Sequence, residues 1–360
     1  MLPTILLLAA LGPELTTYSL DADKGTLTKQ ASVTLPQNVQ EAWPHPKQRI
    51  LYVTWSNNSG KSTDRHGVTA FQVNKQTGAL QQLGQPITLP ARSVFITVDH
   101  TGQYLIAAYN QPSKATVHKI AADGTLGAEV PQAPNLNYGI YAHQVRIDPS
   151  NRMVIIPARG NAPTASKPED PGSLQVYKFE NGKLTNLPTV APNKGFNFQP
   201  RHLDFHPKLP LIYLTLERQN KLQVYRIAGG PSLEPQPLFT KETLKDPAHM
   251  ENQATSAIHF HPNGRFVYLG NRATSAGGEN SIAVYSVDPK TGEPTLIQNA
   301  DTHGIHPRTF TIDPSGKILI VANMSPGSLS LFRIQPDGKL DFLRKYDQPG
   351  KQSLFWTGVY

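Results

Sequence analysis

Six charged side chains recur at two fixed distances from one repeated position in this sequence. The repeated position is an Asp or a His that follows a short apolar segment, and Pro often comes next. Five residues before it and eleven residues after it, several copies carry side chains that could bind an anion and move a proton. The six residues are His143, Arg201 and Arg308 at the first distance and Arg159, Glu217 and Arg272 at the second.

These residue types together predict an anion site with a candidate base beside it. Guanidinium groups hold a carboxylate, a phosphate or a developing oxyanion through several N–H donors. Each residue also has a structural explanation. Arg201 and Glu217 could form an ion pair that only supports the fold, and His143 could cap the end of a strand. We expect Arg159 to be a solvated rim residue. The coincidence of four or more charged groups at equivalent positions favours the functional interpretation.

A repeat with a period of 47 to 60 residues predicts the elements that position these side chains. Seven copies of an apolar segment, each with an aromatic residue or His near its centre, are followed by a Gly-containing turn. Such a copy is typical of two strands joined by a tight turn, and four short strands per period build a β-propeller. The central positions are Tyr18, Phe71, His118, Tyr177, Tyr225, Tyr285 and Phe332.

The second repeat, which carries the Asp or His position, has only six copies within the chain. The two ends of the chain supply the seventh, because SLFWTGVY is similar to the strand before the turn and TILLLAALG to the strand after it. We therefore predict an all-β fold, a seven-bladed β-propeller of four-stranded antiparallel blades, closed by strands from both termini. It would be a single domain over residues 1–360. The six positions are His45, Asp99, Asp148, His206, His261 and Asp313.

This architecture places the six charged residues at one mouth of the central channel. The first strand of each blade lines the channel of a propeller. The first two strands form an antiparallel hairpin, so positions well before and well after the turn meet at one edge of the sheet. We therefore expect the charged residues to form a ring at that edge.

Composition narrows the classes of function. The chain has 360 residues, 27 Gly, 32 Pro and no Cys, so it can form no disulfide and is compatible with a reducing compartment. Its net charge is +8, but no basic block is interleaved with aromatics, so we do not expect nucleic-acid binding. No apolar run approaches the roughly 18 residues of a membrane span. The opening MLPTILLLAALG lacks a basic region and a clear cleavage site, which predicts a strand and not a signal peptide.

The remaining histidines do not predict a metal site. His206 and His261 occupy the repeated turn position that elsewhere holds Asp, where a side chain hydrogen-bonds the turn. Carboxylates, which hard divalent cations prefer, are scarce at the mouth positions. We expect neither a metal nor another cofactor. The histidines that are not spaced as ligands on one element are His202, His249, His303 and His306.

Four segments of the chain resemble the blade motifs of the seven-bladed propeller lactonases. They are FITVDHTGQYLIAAYN, PRHLDFHPKLPLIYLTLE, AIHFHPNGRFVYLGNR and PRTFTIDPSGKILIVAN. The nearest members are the bacterial propeller-type 6-phosphogluconolactonases, and the fungal carboxymuconate cyclase is more distant. The resemblance runs nearly from end to end and implies the same fold and a cytoplasmic location. It also implies active-site roles for His143 in AHQVRID, Arg201 in QPRHL, Glu217 in LTLER and Arg272 in LGNR.

The resemblance implies hydrolysis of a sugar-acid lactone, above all 6-phosphogluconolactone, by a water that a base activates. We favour His143 as the base, because an unperturbed pKa near 6.5 suits proton transfer at neutral pH. Glu217 would orient it, although Glu217 as the base stays open. The anionic end of the substrate would lie on Arg201 and Arg272. The substrate-binding residues would be Arg201, Arg272, Arg308 and His202.

Two other functions stay open on the sequence. A lactonising cyclase acting on a muconate-type acid would use similar anion-binding groups to form a C–O bond. A propeller without catalytic activity could serve as an interaction platform. The platform predicts a channel mouth without a coherent charge cluster, which the spacing of the charged residues contradicts.

Overall fold

Seven antiparallel β-sheets form a ring in the computed structural model of this chain. The structure describes residues 5–57, 64–248, 250–273, 277–348 and 353–360. Six sheets have four strands each and the seventh has five, and each sheet is one blade. The predicted fold, an all-β seven-bladed propeller of four-stranded antiparallel blades, is confirmed.

The first four blades are given from their innermost strand outward. Blade 1 consists of β29 (Leu354–Val359), β1 (Ile5–Leu11), β2 (Glu14–Asp21) and β3 (Thr26–Thr34). Blade 2 consists of β4 (Val39–Pro44), β5 (Ile50–Ser56), β6 (His66–Val73) and β7 (Leu80–Thr88). Blade 3 consists of β8 (Ser93–Val98), β9 (Tyr104–Asn110), β10 (Ser113–Ile120) and β11 (Leu126–Glu129). Blade 4 consists of β12 (Arg146–Ile147), β13 (Met153–Ala158), β14 (Ser173–Glu180) and β15 (Lys183–Asn186).

The other three blades follow the same order, and a single 3-10 turn, Pro192–Gly195, precedes them. Blade 5 consists of β16 (Pro200–Phe205), β17 (Leu211–Leu216), β18 (Lys221–Ala228), β19 (Ser232–Leu233) and β20 (Phe239–Glu242), and both β19 and β20 pair with β18. Blade 6 consists of β21 (Gln253–Phe260), β22 (Phe266–Ala273), β23 (Ser281–Val287) and β24 (Pro294–Asp301). Blade 7 consists of β25 (Ile305–Ile312), β26 (Ile318–Ser325), β27 (Ser328–Ile334) and β28 (Leu340–Asp347).

Strands from both ends of the chain close the ring, as predicted. The C-terminal β29 pairs with the N-terminal β1, with Ala9 opposite Thr357. The hydroxyl of Thr357 donates to the carbonyl of Leu8 at 2.9 Å, and the side chain of Leu354 is fully buried. The first residues of the predicted N-terminal strand, 3 and 4, lie outside the described residues.

The repeated Asp or His position holds the turn between the first two strands and joins neighbouring blades. Nδ1 of His45 accepts hydrogen bonds from the backbone N–H groups of Lys47 (3.0 Å) and Gln48 (2.9 Å). Its Nε2–H therefore donates to the carbonyl of Gly102 in the next blade, at 3.1 Å. His206 makes the same contacts, and His261 accepts from the N–H of Asn263 and bonds the carbonyl of Gly316, which confirms both as turn residues. Either His or Asp can occupy this position because an imidazole and a carboxylate can both accept backbone N–H groups.

The central positions of the first repeat lie on the third strand of each blade and pack between blades. Phe71, Tyr177 and Tyr285 are each at most 2% exposed. Each buried aromatic side chain contributes roughly 1.5–3 kcal/mol relative to an exposed one. The repeat therefore marks the hydrophobic core, and the site depends on the inner strands that this core holds in place.

The hairpin of the first two strands brings the two sets of charged positions to one edge of each blade. In blade 5, Pro200 lies opposite Leu216, and the N–H of Glu217 donates to the carbonyl of Gln199 at 3.0 Å. In blade 4, the N–H of His143 donates to the carbonyl of Pro157 at 2.8 Å. The register thus places both sets at the same mouth of the channel.

Deletion of residues 353–360 should abolish cooperative unfolding and cause aggregation. The deletion removes β29, exposes the hydrogen-bonding edge of β1 and uncovers the apolar side chains that pack on Leu354 and Trp356. Urea unfolding followed by circular dichroism, together with light scattering, measures both effects. The control Tyr360→Phe loses only a hydroxyl hydrogen bond to the Gln48 carbonyl and should unfold like the intact protein. Unchanged cooperative unfolding of the truncated chain would contradict the closure.

Candidate active site

A single carboxylate, that of Glu217, lies at the centre of the charged residues at the channel mouth. Its Oε1 accepts hydrogen bonds from Arg201 Nε at 3.2 Å and from Arg272 Nη2 at 2.5 Å. Its Oε2 accepts one from Arg159 Nη1 at 2.6 Å. The side chain of Glu217 is 5% exposed and that of Arg201 is 1% exposed. Both carboxylate oxygens are therefore engaged by guanidinium groups in a site largely closed to bulk water.

Three adjacent blades supply this cluster. Arg159 follows β13 of blade 4, and Arg272 belongs to β22 of blade 6. Blade 5 lies between them and supplies Arg201 from β16 and Glu217 from the end of β17. The carboxylate therefore joins three blades at the mouth of the channel.

The expectation that Arg159 is a solvated rim residue is wrong. Its side chain is only 18% exposed, because it reaches from blade 4 to the Glu217 carboxylate in blade 5. Its guanidinium carbon also lies 4.1 Å from the centre of the Tyr141 ring. Such stacking on an aromatic face suits a planar guanidinium group. Arg159 thus belongs to the cluster as much as Arg201 does.

The arginines keep Glu217 ionised. Burial by itself would raise the pKa of this carboxyl group, but the charges of Arg201, Arg272 and Arg159 outweigh it and lower the pKa to about 2. A carboxylate with such a low pKa, whose oxygens both accept hydrogen bonds, is a weak proton acceptor. Glu217 is therefore suited to holding the arginines in place.

His143 lies beside this cluster as a neutral imidazole. The residue is 8% exposed. Burial first, and then the charges of four arginines led by Arg201, hold the pKa of His143 well below its usual value. Its Nδ1 is buried, and within the described part of the chain it has no hydrogen-bond partner. Nε2 is thus the ring nitrogen that can reach a ligand in the mouth.

His202 lies between His143 and the central channel. The centres of the two imidazole rings are 5.1 Å apart in an edge-to-face contact, and the ring of Phe95 lies 5.7 Å from His202. On its other side the channel holds a cavity of about 370 Å³ with aromatic walls that include Trp43 and Phe310. Burial, and next the charge of Arg201, lower the pKa of His202 well below its usual value. His202 is therefore a neutral part of the wall behind His143.

His306 positions Arg272, although it lies at neither of the two recurring positions of the repeat. Arg272 Nη1 donates to Nε2 of His306 at 2.9 Å. Nδ1–H of His306 therefore donates to the carbonyl of Ala273, at 3.1 Å. Burial and the neighbouring Arg272 lower the pKa of His306 to about 4, which keeps Nε2 free to accept. The sequence signal for this role is weak, since His306 stands two residues before Arg308 and outside both recurring positions.

Arg308 differs from the three arginines that bind Glu217. Its guanidinium group has no hydrogen bond or ion pair with any described residue. Its guanidinium carbon lies 4.1 Å from the centre of the Phe355 ring. Burial, followed by repulsion from Arg272 and Arg92, lowers the pKa of Arg308 to about 9. Arg308 is therefore charged at neutral pH and faces the mouth with its N–H donors free.

The mouth carries a large excess of positive charge. Within the described part of the chain, one ionised carboxylate, that of Glu217, faces Arg159, Arg201, Arg272 and Arg308. Glu41, deeper in the channel, does not balance them, because burial raises its pKa to about 8. A concave site with cationic walls attracts anions and raises their local concentration. The structure thus brings together all six predicted residues in an arrangement that can bind an anion beside a neutral imidazole.

The chain matches a known protein family over nearly its whole length. The family described as "Lactonase, 7-bladed beta-propeller" matches residues 9–355. The chain belongs to this lactonase family.

Curated relatives of this lactonase-family chain have similar length. The 6-phosphogluconolactonase of Bacillus subtilis (strain 168) is 29% identical over 338 residues, which cover 91% of this chain and 89% of the relative. The 6-phosphogluconolactonase of Serratia proteamaculans (strain 568) is 27% identical over 343 residues, which cover 94% of this chain and 93% of the relative. Both similarities therefore span the whole propeller.

Solved structures show the same fold. The Pseudomonas aeruginosa periplasmic gluconolactonase PpgL has a TM-score of 0.78 and 23% identity, with 97% of each chain covered. A protein from Bacteroides uniformis has a TM-score of 0.81 and 19% identity, with 99% of this chain and 100% of the other covered. At these identities the comparison supports the architecture alone.

The mouth of this lactonase-family propeller also holds strained backbone. Tyr141 (φ 62°), Gln199 (φ 40°), His303 (φ 53°) and His306 (φ 59°) lie in or just before innermost strands. Non-glycine residues rarely adopt this left-handed region, and each costs about 1–3 kcal/mol, so such residues persist where the surroundings fix them. Two of them touch the cluster, because Tyr141 stacks on Arg159 and His306 binds Arg272.

Two features of the described residues bear on metal and membrane binding. In that part of the chain, no group of three or more His, Asp or Glu side chains is close enough to hold a metal ion. No helix formed by the same residues is long and apolar enough to cross a membrane. His249, one of the histidines noted above, lies outside the described residues.

Glu217→Gln should lower the free energy of unfolding by about 3–5 kcal/mol, because it leaves buried arginines without their counter-charge. Urea titration gives this value. The matched control is Glu180→Gln, since Glu180 pairs with Lys178 at 2.8 Å at the end of β14, where both side chains are exposed. That variant should keep the unfolding midpoint of the unaltered protein. Equal midpoints for all three proteins would contradict a structural role for Glu217.

The unaltered protein and Glu217→Gln can also be compared as a function of pH. The pKa of Glu217 falls from its ordinary 4.5 to about 2 on folding, so its stabilisation is fully present above pH 4.5. The stabilisation is lost as the pH falls towards 2. The stability difference between the unaltered protein and Glu217→Gln should therefore shrink over that interval.

Proposed function

We propose that this protein hydrolyses the lactone of a sugar acid, with 6-phosphogluconolactone as its substrate. The observation that carries the proposal is a neutral, buried imidazole, His143, beside arginines that an ionised Glu217 holds in place. A lactone needs a base for water and a cationic group for the oxygen that becomes negative. The names of the Bacillus and Serratia relatives support the choice of lactone.

In the proposed reaction, a water oxygen attacks the carbonyl carbon of the lactone while His143 accepts a proton from that water. N–H groups of Arg201 and Arg272 that are not bonded to Glu217 stabilise the negative carbonyl oxygen. The bond from the carbonyl carbon to the ring oxygen then breaks, and His143 returns the proton to the ring oxygen. One water is consumed and one hydroxy acid forms. The sequence has no G-x-S-x-G nucleophile motif, so no covalent intermediate is invoked.

We assign the base to His143 and the positioning role to Glu217. Both oxygens of Glu217 are occupied by arginines, and its pKa of about 2 makes proton uptake unfavourable. His143 is neutral at pH 7, and its side chain has no hydrogen bond to a described residue that would have to break first. The arginines that lower its pKa are the groups that an anionic substrate partly neutralises, so substrate binding raises the basicity of His143.

The other mouth residues take separate parts in this proposal. Arg201 and Arg272 serve the carbonyl oxygen, because both are fixed on Glu217. His202 supports His143 from the channel side and limits its movement. This assignment differs from the sequence-based expectation that Arg201 and Arg272 hold the anionic end of the substrate. The unpaired Arg308 is the better candidate for that end.

We also place the reaction in the cytoplasm. A chain without Cys gains no stability from an oxidising compartment. Cell fractionation with immunodetection tests this part of the proposal, and a pool confined to the periplasm or the medium would contradict it.

A pH-stat assay on freshly generated 6-phosphogluconolactone, with gluconolactone beside it, tests the function directly. The protein should accelerate acid release from the phosphorylated lactone above the spontaneous rate, with a higher kcat/KM than for gluconolactone. The heat-denatured protein is the control. Absence of any acceleration on both lactones would overturn the proposal, and C–O bond formation on a muconate-type acid would then favour a cyclase.

The pH dependence of kcat/KM should identify the base. With His143 as the base, activity stays constant as the pH falls through 6.5 and declines only at lower pH, because the neutral form persists there. His143→Gln should lose this acidic limb together with about 10²–10⁴-fold of the rate. Glu217→Gln should keep the limb at a reduced rate. The opposite pattern in the two variants would assign the base to Glu217.

A further inference from the structure

Two arginines outside the Glu217 cluster share one aromatic ring. Arg308 comes from the innermost strand of blade 7, and Arg92 directly precedes the innermost strand of blade 3. Their guanidinium carbons lie 4.1 and 5.8 Å from the centre of the ring of Phe355, which belongs to β29 of the closing blade. The closing strand thus brings two cations from distant parts of the chain to one place.

Both arginines have free donors. Arg92 uses Nε to donate to Oε1 of Gln40 at 2.6 Å, and its terminal nitrogens have no partner among the described residues. Arg308 has none of its nitrogens bonded within the same part of the chain. Two guanidinium groups with free terminal N–H groups can hold a tetrahedral anion from two sides. No carboxylate of a described residue forms an ion pair with Arg92 or Arg308.

The surroundings of Arg92 and Phe355 suit a polyhydroxylated chain. A cavity of about 510 Å³ opens at this part of the mouth. Its wall combines Phe355 and Met324 with the amide of Asn38, and with Gln40 and Ser56, whose side chains already bond Arg92 and His66. Amides and hydroxyls can both donate and accept, which matches sugar hydroxyl groups. Beside Arg92, the cavity therefore offers an aromatic face and an amide to the polar tail of a sugar acid.

Arg308 shares the ring of Phe355 with Arg92, and both Phe355 and Arg92 line this cavity. Burial first, and then the charges of Arg272, which binds Glu217, and of Arg92, lower the pKa of Arg308. A ligand that reaches both arginine groups thus has its reactive end near His143 and its far end near Phe355. The repulsion between Arg308 and Arg92 is a strain that a bound dianion relieves.

We propose that Arg92, Arg308 and Phe355 form an anion subsite, separate from the Glu217 cluster, that holds the phosphate group of a phosphorylated sugar lactone. The inference rests on the proposed lactone hydrolysis and adds the residues that select the phosphorylated substrate. Gln40 positions Arg92 through its side-chain oxygen. The phosphate, which is remote from the carbonyl, contributes binding energy without taking part in the chemistry.

Kinetics on two substrates test the subsite. Arg308→Met should raise the KM for 6-phosphogluconolactone about 10-fold or more, since hydrogen bonds between charged groups are the strong ones. It should change the KM for gluconolactone less than about 2-fold. Arg92→Met should show the same selectivity. Arg344→Met, on the exposed outer strand of blade 7, is the matched control and should leave both KM values unchanged. Equal losses on both substrates in the Arg308 and Arg92 variants would overturn the subsite and leave lactone hydrolysis standing.

A binding experiment keeps the two proposals distinguishable. Isothermal titration calorimetry of the unaltered protein should detect 6-phosphogluconate, and Arg308→Met should weaken this binding about 10-fold or more. Gluconate should bind weakly to both proteins. If the protein hydrolyses neither lactone but shows this pattern, the function is wrong and the subsite stands. If the unaltered protein binds 6-phosphogluconate no better than gluconate, the subsite is wrong.

Thermal unfolding shows whether the arginine variants lose only a contact to the ligand or also lose stability of the fold. Removal of an unpaired cation from a cationic mouth relieves repulsion, so Arg308→Met should unfold at the same temperature as the unaltered protein or higher. Inorganic phosphate should raise the unfolding temperature of the unaltered protein more than that of the variant. A lower unfolding temperature for Arg308→Met and Arg92→Met, with no difference in the response to phosphate, would show that both arginines serve the fold.

Discussion

The ion pairs of Glu217 are the interaction on which the mouth of the propeller depends. Arginines from three adjacent blades converge on one buried carboxylate, and without that charge their mutual repulsion would drive them apart. A buried charge that loses its partner is strongly destabilising, so the carboxylate and the arginines fix one another. The geometry that could stabilise an oxyanion is therefore a consequence of Glu217, whose own protonation never changes near neutral pH.

The same arginines also keep the neighbouring histidines unprotonated. Burial would leave an isolated imidazole neutral, and the nearby arginines reinforce that effect at His143, His202 and His306. A neutral His306 can accept from Arg272, and a neutral His143 can accept from water. One carboxylate among several guanidinium groups thus provides both a fixed cationic surface and neutral acceptors. These properties are hard to combine, because a second ionised carboxylate would raise the pKa of the histidines and neutralise the anion site.

The sequence could predict whatever follows from the period of the repeats. Antiparallel hairpins fix which positions share an edge, so the convergence of His143, Arg201 and Glu217 and the closure by β29 follow from spacing. Contacts between blades do not follow from it. The pairing of Arg159 does not follow from spacing because its partner lies in the next blade. The contacts of Phe355 do not follow from it either, because Phe355 lies in the closing strand, where the repeat is split between the two ends of the chain.

The excess of positive charge at the mouth links the stability of the folded protein to the binding of an anion. Folding lowers the pKa of Arg308 to about 9, so below pH 9 the folded state carries a charge that its surroundings disfavour. An anion that binds only the folded protein removes that penalty and contributes its own hydrogen bonds. The protein thus gives up some stability in the empty state, and the anion recovers it on binding. A mouth built only for stability would pair Arg308 with a carboxylate, as it pairs Arg201 with Glu217, and would then have no free cation for a substrate.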